Sequence, residues 1–165
     1  LYTFLDVVRR RCENPRVVWL HREPVGVIKS SLILLKGIQK CYTADLGLDD
    51  TDVINRIVLD WFELQMRNGI AAREAWFAQH PDDAMILDVS FNKLVADPKA
   101  TVRGIYDHFN IDFSAEVEEA LDRTIADEEV LKKVAVAPPE SLYRFTDEEV
   151  RSRFKFFTDA YQKYF

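Results

Sequence analysis

Apolar positions along the chain alternate between two kinds of spacing. In residues 2–12, Leu5, Val8 and Cys12 recur at helical intervals, and Asn14-Pro15 ends the stretch. The run Arg16-Val17-Val18-Trp19-Leu20-His21 is short, β-branched and aromatic, without strict alternation. That pattern predicts a strand buried on both faces of a parallel sheet. Pro24 suits the first turn of a helix, where its missing N–H costs nothing. Val25, Ile28, Leu32, Leu35 and Ile38 or Gln39 then carry a helical stripe to about Lys40.

Residues 41–50 read as a polar loop, with Thr51 as a candidate N-cap. From Val53 to Phe77 the apolar residues Ile54, Ile57, Val58, Trp61, Phe62 and Leu64 keep the 3.6 period, with Gly69 as a candidate kink. His80-Pro81-Asp82-Asp83 is a stop signal, and Ala84 to Val89 reads as a second buried strand. Asp97-Pro98 predicts an N-cap and first helical turn, followed by the stripe Val102, Ile105, Tyr106 and Phe109. Ser114 opens a further helix to about Lys133, and residues 134–145, with Pro138-Pro139, read as a loop. Thr146 and Glu149 have the spacing of a capping box before a last helix bearing Val150, Phe154, Phe157 and Tyr161. The aromatic residues Trp61, Phe62, Trp76, Phe154, Phe157 and Tyr161 are expected in the core, and residues 36–52 are a candidate acceptor gate.

Helices that separate strands imply parallel pairing and an α/β fold with few strands and many helices. Two strands do not complete a sheet: either further strands lie upstream, or the protein is unusually helix-rich for its pattern. The expectation is one domain over residues 1–165, forming the C-terminal part of a larger α/β domain.

Composition narrows the chemistry. The 165 residues are 48% hydrophobic and 30% charged, which excludes a disordered chain, and no apolar run reaches bilayer-spanning length. Two cysteines, Cys12 and Cys41, without a C-x-x-C pair favour a reducing compartment, hence a cytoplasmic location. His21, His80 and His108 lack metal-site spacing, so no metal is expected. Five glycines leave no Walker-A loop and no G-x-G-x-x-G fingerprint. The net charge of −6 is divided unevenly. Residues 1–40 hold eight Lys or Arg against three Asp or Glu, and the remainder holds 14 against 25. An acidic remainder argues against nucleic acid as a partner, while a basic N-terminal third suits one compact anion. Arg9, Arg10 and Arg11 read instead as a solvated helix face.

The candidate anion site is Trp19-Leu20-His21-Arg22-Glu23-Pro24-Val25-Gly26-Val27-Ile28-Lys29-Ser30-Ser31. Ligands of open parallel sheets sit beyond the carboxyl ends of the strands, where Arg22 falls. A helix start at Pro24 would offer N–H groups and a positive dipole end, and Arg can grip a phosphate with two parallel hydrogen bonds. Ser30 could complete the clamp. The competing reading pairs Arg22 with Glu23 or another carboxylate and leaves Ser30 as a packing residue.

This segment resembles the 3′-phosphate-binding signature of the sulfotransferase family, in which a strand is followed by Arg-Asp/Glu-Pro and a Ser eight residues after the Arg. Arg22 and Ser30 match those positions. Ile86 to Pro98 resembles the family's strand and "YEDL..DP" segment, with Phe91 and Asn92 where Tyr and Glu are common; Phe91 could stack on an adenine. Leu142-Tyr143-Arg144-Phe145 resembles bacterial-type members. The family's Gly-rich basic loop has no counterpart, since Lys132, Lys133 and Arg144 are the only nearby cations. Its N-terminal 5′-phosphosulfate loop is also missing, and the general-base His would fall at or before Leu1.

The resemblance implies part of a P-loop-NTPase-like parallel sheet. It also implies sulfuryl transfer from 3′-phosphoadenosine 5′-phosphosulfate to a hydroxyl or amine of a small-molecule, carbohydrate or lipid acceptor. Arg22 and Ser30 would bind the donor's 3′-phosphate, and the catalytic residues would lie upstream. Two alternatives stay open: a non-catalytic nucleotide-binding or scaffold domain of the same fold, and a nucleotide phosphotransferase.

Overall fold

The computed structural model describes residues 4–43, 51–134 and 139–165. Along them run α1 (Phe4–Arg11), β1 (Val17–His21), α2 (Pro24–Thr43), α3 (Thr51–Gln79), β2 (Ile86–Ser90), α4 (Phe91–Ala96), α5 (Pro98–His108), α6 (Ala115–Val134), α7 (Asp147–Arg153) and α8 (Lys155–Ala160). The strands pair in parallel, from Val17 opposite Ile86 to His21 opposite Ser90. The fold is therefore mixed, with many helices and a small parallel two-stranded sheet, as the alternation of periods implies.

Local chemistry sets most of the boundaries. Ser90 ends β2 and caps α4, its hydroxyl accepting from the Lys93 N–H at 3.4 Å. Asp97 closes α4 by donating its backbone N–H to the Lys93 carbonyl, then caps α5 by accepting from the Ala100 N–H at 2.9 Å. The six-residue α4 is not evident from periodicity, because it is shorter than two helical turns. Gly69 does not break α3, which runs unbroken to Gln79; a mid-helix glycine costs only about 1 kcal/mol. The last predicted helix is divided at Phe154, whose backbone leaves helical geometry (φ −99°, ψ 13°).

The described residues fall into two compact units. One, within residues 1–22, 72–136 and 163–165, contains the sheet. Its core joins Leu5, Trp76, Met85 and Ile86, with Val17, Trp19 and Phe77 packed against them. β1 is not buried on both faces as its composition suggests: Val18 and Leu20 are each 43% exposed. Parallel partners point to the same side of the sheet, so Val18 and Leu20 share a face with Leu87 and Val89. Leu87 and Val89 line a cleft of about 490 Å³ with Ala100, Gly104 and Ile105 of α5, whereas Val18 and Leu20 do not.

The other unit, within residues 23–71 and 137–162, is built on Val25, Ile28 and Leu32 of α2, Val58 of α3, and Val150 and Phe154. The apolar stripe continues beyond this core: Leu35, Ile38 and Trp61 are exposed, contrary to the expectation for core positions. Periodicity identifies a face of a helix but not what covers it. Buried Asn55 ties the 3₁₀ turn Glu140–Leu142 to α3. Its amide donates to the carbonyls of Thr51 (2.8 Å) and Leu142 (3.0 Å), and its oxygen accepts from the Arg144 N–H (3.0 Å). Thr146 and Glu149 form the expected capping box at the start of α7.

Candidate anion site at the carboxyl end of the sheet

The two strands stay in register to their last residues, His21 and Ser90. The next residue on each chain segment is Arg22 and Phe91 respectively. The half-buried Arg22 places its guanidinium over the Phe91 ring, 4.4 Å from the centroid. Among the described residues, no carboxylate is paired with it. Glu23, the nearest competitor in sequence, is engaged elsewhere: it accepts from the Gly26 N–H at 3.2 Å and faces Arg151 at 3.5 Å. A contact with a ring engages none of the guanidinium N–H groups with an oxygen, and such donors can meet a phosphate or carboxylate in two parallel bonds.

Arg22 and Ser30 belong to different units, and each is placed by its own surroundings. Ser30 is exposed in the second turn of α2, its hydroxyl shared between the carbonyls of Gly26 (2.8 Å) and Val27 (3.0 Å). The start of α2 differs from the expected open N-terminus. Pro24 has no N–H, and the Gly26 N–H is held by the Glu23 carboxylate. The helix therefore has a negative side chain at its positive end, which takes one N–H of the first turn.

Next to Arg22 in sequence lies a charged cluster that pattern reading did not find. His21 is 1% exposed, and its Nε2 lies 2.7 Å from Asp88 Oδ1. Arg73 of α3 grips both oxygens of Asp88, with Nη1 2.6 Å from Oδ1 and Nη2 on Oδ2. The Arg73 guanidinium lies beside the Trp19 and Phe77 rings, and Tyr164 stacks on His21 at 4.5 Å. Burial by itself would raise the Asp88 pKa; hydrogen bonds from His21 and Arg73 outweigh it and hold the carboxyl at about 2. An ionised Asp88 only accepts, so Nε2 carries the proton of the His21 bond. An acid inside an otherwise apolar strand run was the one available signal. Its partners, from β1 and α3, are separated too widely in sequence to be read from it.

Residues 2–115 match the sequence model of the Sulfotransferase family, more than half of the chain. The chain belongs to the sulfotransferase family. No curated protein and no solved structure matches it. In this sulfotransferase both Arg22 and Ser30 lie inside the matched stretch, together with β1, β2 and the Arg22–Phe91 stack. Almost all of α6, and all of α7 and α8, lie beyond it. Among the described residues, no group of three or more His, Cys, Asp or Glu is placed to hold a metal ion, and no helix is long and apolar enough to cross a membrane. Arg144, one of the cations near the missing basic loop, is paired with Asp52 at 2.7 Å. Residues 44–50 of the proposed acceptor gate, 36–52, lie outside the described residues.

Proposed function

We propose that this sulfotransferase uses 3′-phosphoadenosine 5′-phosphosulfate, with Arg22 and Ser30 as ligands of the donor's 3′-phosphate. The same reading makes the chain the C-terminal part of a larger catalytic domain, acting on a hydroxyl or amine of a small-molecule, carbohydrate or lipid acceptor. One observation carries it: Arg22 stands at the carboxyl end of β1, half-buried and stacked on Phe91, with no carboxylate partner among the described residues.

The donor supplies an activated sulfuryl group. Its sulfur forms a bond to the acceptor oxygen or nitrogen as the bond to the 5′-phosphate oxygen breaks. Arg22 and Ser30 take no part in that exchange. By holding the opposite end of the donor they align it, and alignment is a major source of rate in such transfers. In this reading the Ser30 hydroxyl donates to a phosphate oxygen in place of the helix carbonyls that now share it. The acceptor's proton passes to a general base and a cation neutralises the bridging oxygen; neither role is assigned to Arg22 or Ser30.

Titration of the full-length protein with 3′,5′-bisphosphoadenosine and with adenosine 5′-monophosphate tests the clamp. The bisphosphate is expected to bind more tightly, and Arg22→Ala to remove that preference at a cost of about 1.5–3 kcal/mol. Equal affinities in the unaltered protein overturn the assignment. Preference without sulfate transfer to any of a broad acceptor panel leaves a binding domain of the same fold.

A further inference from the structure

We infer that Phe91 is a positioning residue for Arg22, presetting the plane of its guanidinium for an anion. This rests on Arg22 being a ligand of the 3′-phosphate, and adds the residue that orients it. Phe91 occupies the position that follows β2, as Arg22 occupies the position that follows β1. Because the strands pair through His21 and Ser90, these two side chains leave the sheet side by side.

The Phe91 backbone is held from both directions. Ser90 before it is paired across the sheet and buried, and its hydroxyl receives the Lys93 N–H, which starts α4 at Phe91 itself. The ring is thus anchored at its backbone. Arg22 is long and flexible, and ordering such a side chain on ligand binding costs rotamer entropy. Contact with the ring removes part of that freedom in advance. A guanidinium is weakly hydrated, suits contact with an aromatic ring, and carries five N–H donors. A phenyl ring also offers no oxygen to compete for those N–H groups. One face of Phe91 is therefore taken by Arg22, which gives this ring a role other than stacking on an adenine.

The test compares Phe91→Ala, Phe91→Leu and Phe91→Tyr with Arg22→Ala in the full-length protein. The reading is the affinity ratio of 3′,5′-bisphosphoadenosine to adenosine 5′-monophosphate, which loss of packing alone does not move. Alanine and leucine are expected to lower the ratio about three- to tenfold, and tyrosine to keep it within about twofold. Arg22→Ala combined with Phe91→Ala should be no weaker than Arg22→Ala alone. A wild-type ratio in Phe91→Leu overturns the inference, because apolar bulk without a ring then suffices; so does a wild-type ratio in Phe91→Ala. If the alanine variant does not fold, leucine against tyrosine gives the same decision. If Arg22→Ala leaves the ratio unchanged, the clamp itself fails. If Arg22→Ala removes the ratio and the Phe91 variants do not, only the positioning role fails.

Discussion

At the scale of single residues, the Asp88 carboxylate is the most strongly perturbed group of the sheet. It is held at about 2, below the ordinary 3.8, because His21 and Arg73 favour the charged form more than burial opposes it. A carboxyl whose folded pKa is depressed contributes stability above its unfolded value and loses it as pH falls through the folded one. Asp88→Asn should therefore be less stable than the unaltered chain near neutrality. The gap should close as pH drops from about 4 towards 2, measured by denaturant unfolding at each pH. A gap independent of pH would mean that packing, not charge, sets the loss. Asn55 makes a different case, since its three hydrogen bonds join backbone groups that are distant in sequence. Asn55→Ala leaves those groups without it and should cost about 2–3 kcal/mol in chemical denaturation.

At the scale of elements, what was legible was what is written locally. The Asp97-Pro98 cap and the Thr146 capping box each depend on neighbours within four residues, and each forms; the strand–turn–helix at residues 17–43 was legible from its local pattern as well. What depends on tertiary partners was not legible. Arg73 reads as one charge on a long helix until β2 brings Asp88 to it, and Leu35 and Trp61 carry a core-like period yet remain exposed. Arg22 was visible as a candidate ligand because its position follows a strand; that its companion is Phe91 was not, because that needs the register of two distant strands. The local elements can be tested singly. Thr146→Ala removes the side-chain half of the capping box, leaving the backbone N–H on Glu149, and should lower stability by about 1 kcal/mol, read as a shift in denaturant midpoint with an unchanged slope.

At the scale of the whole molecule, ligand and stability are linked. A ligand that binds only the folded state stabilises it by about 2.7 kcal/mol at 100 times its dissociation constant. If the 3′-phosphate is gripped, 3′,5′-bisphosphoadenosine should raise the melting temperature of the full-length protein more than adenosine 5′-monophosphate at equal concentration. Arg22→Ala should bring the two curves together, and identical shifts before substitution would contradict a 3′ grip. Charge is a property of this scale as well: the chain is acidic overall at −6, while residues 1–40 hold eight Lys or Arg against three Asp or Glu. Such a distribution suits a discrete anion better than an extended polyanion.

The parallel pairing of β1 with β2 has an evolutionary corollary. Strands that run the same way must be joined by a long crossover, here residues 22–85, most of it α2 and α3. Closing a loop twice as long costs only about 0.6 kcal/mol more in chain entropy. The excursion between the strands can therefore gain or lose helical turns in related chains at little thermodynamic penalty. Diversification among relatives should accumulate in that excursion, while the five-rung ladder that carries Arg22 and Phe91 at its end keeps its length.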